Sequence, residues 1–153
     1  MRRWRTATEG ETEALGAALA GELAPDGVLL LSGDLGTGKT VLARGIAAAL
    51  GIAPREVQSP TYTLIREHQG KDGGRMVHVD LYRLSPEESA ELGLEELLAG
   101  PGVKVVEWAE RLTFDVPGAL RLTLRRTSEA GEGGREILET KINDLSDRRM
   151  HDD

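Results

Sequence analysis

The stretch Gly33–Thr40, GDLGTGKT, combines three glycines with a lysine and a threonine at the spacing G-x-x-x-x-G-K-S/T. That spacing suits phosphate chemistry. Glycines let the backbone take unusual dihedrals and come close to an anion. Successive N–H groups, with the positive end of a following helix, then cradle phosphate oxygens. In such a loop Lys39 reaches the β- and γ-phosphates and the Thr40 hydroxyl ligates Mg²⁺. The expected nucleotide-binding residues are therefore Gly33, Asp34, Leu35, Gly36, Thr37, Gly38, Lys39 and Thr40.

A phosphate loop alone only binds; hydrolysis also needs metal ligands and a group that places the attacking water. Acidic residues at strand ends supply these, and two stand out: Asp80 in VHVDLYRL and Glu107 in VKVVEW. A carboxylate directly after apolar residues is costly unless it is paired or metal-bound. The plainer reading of either is a surface acid or an ion pair with Arg83 or Arg111. His78, two residues before Asp80, shares a strand face with it and reads equally well as a hydrogen-bonded structural histidine. In SPTYTL, Ser59 to Leu64, Pro60 holds Ser59 extended, and Thr61 and Thr63 alternate on one side. A threonine after the phosphate-loop helix is suited to meet Mg²⁺ and the γ-phosphate, yet a simple strand start fits Thr61 as well. Trp108 is open to stacking on a base, stacking on a partner, or filling the core, with core as the default.

These side chains need elements to hold them. Val28 to Leu31 is a short apolar run, as for a strand buried on both faces of a parallel sheet. After Lys39, Leu42, Ile46 and Leu50 recur at helical spacing and Gly51 marks the stop. Upstream, Arg2 to Thr8 reads as a short edge strand. Thr8 with Glu11 forms a capping-box signature for a helix carrying Leu15, Leu19 and Leu23 as far as Pro25. Tyr62 to Gln69 reads as a strand, joined by the turn GKDGG to an alternating, antiparallel partner, MVHVDLY. Ser85, Pro86 and Glu88 start another helix, VKVVEW is a second buried strand, and ALRLTLRR and REILETKI are two more. The fold class is α/β: a phosphate-loop hydrolase-like mixed β-sheet flanked by helices, with additional antiparallel strands. Nucleotide is expected at the carboxyl ends of the parallel strands.

The length suits a single domain over 1–143, followed by a polar tail, 144–153, that is expected to fray. With no cysteine, disulfides and thiolate chemistry are excluded. No run approaches a membrane span, so a cytoplasmic protein is expected. The net charge of −7 argues against autonomous grip on nucleic acid. The basic clusters (Arg2, Arg3 and Arg5; Arg125 and Arg126; Arg148 and Arg149) read as solvated surface.

Taken together, GDLGTGKT, SPTYTL, HVDLYRL, VEW and GGRE, in that order, resemble the bacterial TsaE (YjeE) family of small phosphate-loop ATPases of tRNA threonylcarbamoyladenosine synthesis, over about residues 5 to 142. The resemblance implies ATP and Mg²⁺ as cofactors, Lys39 and Thr40 on phosphate and metal, Thr61 as a switch residue, and Asp80 and Glu107 at the metal and the water. It also implies that Glu9, Trp108, Gly134 and Arg135 lie near the nucleotide. The implied partners are the protein subunits of the tRNA threonylcarbamoyl transferase complex, with tRNA met only through them. One departure is Ala109, where many members carry proline; it alters the stiffness of the loop more than its chemistry. Two other readings stay open: a small-molecule kinase, for which only Ser85 to Gly102 is long enough to form a lid, and a nucleotide-binding adaptor without useful hydrolysis of its own. No N-K-x-D or T-K-x-D segment is present to read guanine.

Overall fold

The computed structural model describes residues 1–34, 36–57, 65–128, 131 and 133–140. In chain order the elements are β1 (Arg3–Thr6), α1 (Glu9–Leu23), β2 (Val28–Ser32), α2 (Lys39–Ala49), β3 (Ile65–Gln69), β4 (Arg75–Asp80), α3 (Pro86–Ala90), α4 (Leu94–Ala99), β5 (Val103–Glu107), β6 (Leu120–Arg126) and β7 (Arg135–Thr140). Among the described residues the strands form one seven-stranded sheet in the order β1-β7-β6-β2-β5-β4-β3. β6, β2, β5 and β4 run parallel, while β3, β7 and β1 add antiparallel pairings at the two sides. This is the expected α/β architecture.

Local sequence accounts for most of these elements. Thr8 caps α1 by accepting from the Glu11 N–H at 3.1 Å, while the Glu11 carboxylate accepts from Ala7 N rather than Thr8 N. The expected box is thus displaced by one residue on its return side. Ser85 closes a full capping box with Glu88, and Pro86 opens α3. The GKDGG turn closes with Gly70 N donating to Gly74 O at 2.7 Å.

Two apolar layers sandwich the sheet. On one face Leu19 and Leu23 of α1 and Leu42 and Ile46 of α2 pack on Leu29, Leu31, Val105, Leu122 and Ile137. On the other, Leu94 and Leu98 of α4, with Leu112 and Val116, pack on Leu30, Val77, Val79 and Val106.

Three expectations are corrected. β1 is shorter than Arg2–Thr8, because the chain turns after Thr6 to cap α1. β4 alternates in polarity, yet everything from Met76 to Asp80 is buried, since β4 lies inside β3 and both its faces are covered. The strand expected to run through Trp108 ends at Glu107, because Trp108 adopts the left-handed conformation, φ 60°. Ser59–Leu64, including Thr61, lies outside the described residues, as do Leu35, residues 141 and 142 of the expected last strand, 143 and the tail. Among the described residues no helix is long and apolar enough to cross a membrane.

Candidate nucleotide site

β2 delivers the chain to the phosphate loop at its carboxyl end, and α2 begins at Lys39 immediately after it. Gly33 has φ 140°, and a Cβ there would stand 2.4 Å from the Leu124 carbonyl oxygen, so only glycine fits. Gly38, with φ 102°, occupies the N-cap of α2 with no side-chain cap. The first N–H groups of α2 are therefore left for an anion. The Thr37 hydroxyl donates to Asp34 O at 2.8 Å and tightens the loop.

Lys39 is buried. Its Nζ donates to the carbonyls of Gly33 and, at 2.8 Å, Asp34, and lies 4.3 Å from the centroid of the Trp108 ring. Burial pushes its pKa down, against the attraction of Glu107, Glu110, Asp80 and Asp34. The Thr40 hydroxyl, one residue on, donates to the Glu107 carboxylate, 2.9 Å from Oε1 and 3.1 Å from Oε2. His78 Nε2 lies 2.5 Å from Glu107 Oε2, and both side chains are almost wholly buried. The β4–β5 register sets Asp80 beside Glu107, with Asp80 Oδ1 accepting from Tyr82 N at 2.9 Å. Arg111, one of the two arginines that the plainer reading offers as partners, donates through Nη1 to the carbonyls of Tyr82 and Leu84.

A cavity of about 580 Å³ opens over this group. Of the residues expected near nucleotide, Glu9, Gly36, Thr37, Gly38, Lys39, Thr40, Asp80, Glu107, Trp108 and Arg135 all line it. Gly33 and Asp34 do not line it; their carbonyls lie beneath the loop as acceptors for Lys39. Gly134 also lies off the wall; its carbonyl accepts from Arg135 Nη1 at 2.8 Å. Trp108 departs from the default of core: it is half-buried, packs against the second apolar layer and meets the Tyr82 ring at a tilt of 41°, 5.0 Å between centroids. His78, left open between roles, is fixed against Glu107.

Five wall or rim residues escaped the sequence reading. Thr12, Val41, Tyr82 and Gly133 line the cavity, and Arg126 Nε joins Arg135 Nη2 on the Gly36 carbonyl, at 3.2 and 3.0 Å. Tyr82 carried a signal, as a rare aromatic two residues beyond Asp80; Arg126 looked like any solvated cation.

Oxygen donors from Thr40, Asp80 and Glu107 at the foot of a phosphate loop suit Mg²⁺, which takes one or two carboxylates and completes its shell with phosphate and water. Among the described residues no group of three or more His, Cys, Asp and Glu is placed to hold a metal ion.

The family model described as threonylcarbamoyl adenosine biosynthesis protein TsaE matches residues 6–137. A tRNA threonylcarbamoyladenosine biosynthesis protein TsaE of Bacillus subtilis is 42% identical over 142 residues, 92% of this chain and 85% of that protein. Its namesake in Streptomyces coelicolor is 39% identical over 141 residues, 88% of this chain and 90% of that protein. Among solved structures, Bacillus subtilis YdiB superposes with a TM-score of 0.69 at 33% identity, covering 99% of this chain and 96% of that one. With the family model spanning residues 6–137 and relatives matched over most of their length, this chain belongs to the TsaE family.

Proposed function

We propose that this chain is a cytoplasmic, Mg²⁺-dependent ATPase that serves as an accessory subunit of the complex adding threonylcarbamoyl to adenosine in tRNA. The observation that carries the reading is the meeting of Thr40, Glu107 and Asp80 beside the buried Lys39, at the carboxyl ends of β2, β5 and β4. A bound Mg²⁺ supplies charge neutralisation at the β- and γ-phosphates. The chain's own residues do the rest. The loop amides and Lys39 hold the phosphates, Thr40 and Glu107 present oxygens to the cation, and Asp80 or Glu107 orients the attacking water. Thr61 is the proposed switch that senses the γ-phosphate. Trp108, Glu9 and the Gly134–Arg135 turn are proposed to bound the nucleoside. The kinase reading loses ground because Leu94 and Leu98 of the one lid-length segment are sealed into the core. The test incubates the protein with labelled ATP, alone and with the transferase subunits. Free phosphate, increased by the subunits, is expected; a phosphorylated small acceptor would establish a kinase, and unchanged ATP in both arms an adaptor.

A further inference from the structure

The parallel pairing of β4 and β5 sets His78 opposite Val105 and Asp80 opposite Glu107. Strand alternation then places His78, Asp80 and Glu107 on one face, with His78 the diagonal neighbour of Glu107, a separation that long side chains bridge. His78 Nε2 lies 2.5 Å from Glu107 Oε2, while the Thr40 hydroxyl reaches Oε1 at 2.9 Å and Oε2 at 3.1 Å. A carboxylate has about four lone-pair sites, so these contacts leave room for a cation or a water on what remains.

The two donors are not equivalent. Thr40 lines the cavity, and its oxygen is the one proposed to face Mg²⁺. Its single hydroxyl hydrogen is also shared between both oxygens of Glu107. His78 stands off the cavity wall and is wholly buried, so its ring has no solvent to turn into. The same contacts fix its tautomer. A carboxylate accepts and does not donate, which puts a hydrogen on Nε2. Nδ1 is buried with no hydrogen-bond partner among the described residues. A hydrogen there as well would be a buried donor without an acceptor, so Nδ1 is the bare nitrogen.

We propose that His78 is a positioning residue for hydrolysis: its Nε2–H holds the Glu107 carboxylate so that the remaining lone pairs face the cation and the attacking water. The inference rests on the ATPase proposed above. His78 acts through Glu107 and meets neither nucleotide nor metal. Without it, Glu107 hangs on one shared hydrogen from Thr40 and can swing about its last bond. Groups that orient a metal-site carboxylate matter about 10- to 100-fold. A histidine that only satisfied a buried acid would act on stability instead, and its loss would lower affinity and turnover together.

The experiment compares wild type with His78→Leu, which donates nothing, and His78→Gln, whose amide N–H stands about where Nε2 does. Partner-stimulated phosphate release gives kcat and KM, calorimetric titration gives ATP affinity, and thermal melting checks the fold. In His78→Leu, kcat is expected to fall about tenfold or more with ATP affinity within about threefold of wild type. His78→Gln is expected to recover most of the lost turnover. If His78→Leu does not fold, His78→Asn, whose shorter amide falls short of Glu107, replaces it with the same expectation. Nitrogen NMR of the nucleotide-free protein is expected to find His78 protonated at Nε2 and bare at Nδ1, with the Nε2–H signal shifted in Glu107→Gln. Wild-type turnover in the folded Leu or Asn variant overturns the positioning role and leaves the ATPase standing. Equal losses of turnover and affinity do the same, as does a Gln variant no better than Leu. A proton on Nδ1 with Nε2 bare also overturns it. No phosphate release by wild type, with or without the subunits, overturns the proposed ATPase and the positioning role with it.

Discussion

Lys39 is held in a tight balance: two loop carbonyls take its N–H groups, the face of Trp108 takes its charge, and burial disfavours that charge. An incoming phosphate offers a full anion in place of neutral carbonyls. Replacing a charge-assisted contact costs about 1.5–3 kcal/mol, so Lys39→Ala is expected to weaken ATP binding roughly 10- to 150-fold in a calorimetric titration. The acids behave differently. Glu107 meets Thr40 and His78 at once, whereas Asp80 is tied to its own turn through Tyr82 N. Removing either is expected to impair turnover more than ATP affinity, with Glu107→Ala the worse, about 10²-fold or more. Partner-stimulated phosphate release beside an ATP titration checks this; wild-type turnover in either variant returns that acid to a structural role.

At the scale of elements, the placing of Lys39 and Thr40 depends on how closely α2 lies against α1. A Cβ on Gly45 would stand 1.9 Å from the Glu13 carbonyl oxygen, and one on Gly16 would stand 2.2 Å from the Leu42 carbonyl oxygen. Each obstacle is backbone and cannot rotate away. Overpacking costs about 1–3 kcal/mol, of which better helix propensity returns less than about 1. Gly45→Ala is therefore expected to lower the melting temperature by several degrees, and, by lifting α2 off α1, to weaken ATP binding as well. An unchanged melting curve would mean that the helices can part without cost.

For the whole molecule, the edge strand β1 is tied down by charge. Arg125 holds the Glu136 carboxyl below its ordinary value of 4.5, and Arg2 does the same for Glu139. Because the folded values are depressed, the stabilisation is complete above 4.5 and is lost as pH falls through the folded values, where the unfolded chain binds protons first. Urea midpoints followed from pH 7 to 3 are expected to fall below about pH 4.5, with a shallower acid limb in Glu136→Gln. Hydrogen exchange should find β1 opening before the parallel centre of the sheet. An acid limb identical in Glu136→Gln would assign the pH dependence to other carboxylates.

The phosphate loop, its strand and its helix were legible in GDLGTGKT and its flanks, because those preferences act between residues a few positions apart. The helix starts at Thr8 and Ser85, the GKDGG hairpin and the acids at the strand ends were legible for the same reason. What joined those acids into one site was not. Thr40 meets Glu107 only because β2 and β5 pair in parallel, and Asp80 stands beside Glu107 only through the β4–β5 register. Trp108 looked like core, but its left-handed backbone and the roof of Lys39 and Tyr82 put it on the cavity wall. Arg5 and Arg125 read as separate solvated charges until β7 came between their strands and gave both the same carboxylate. Strand order is chosen by burying every apolar face at once, a condition on the whole chain that no local stretch contains.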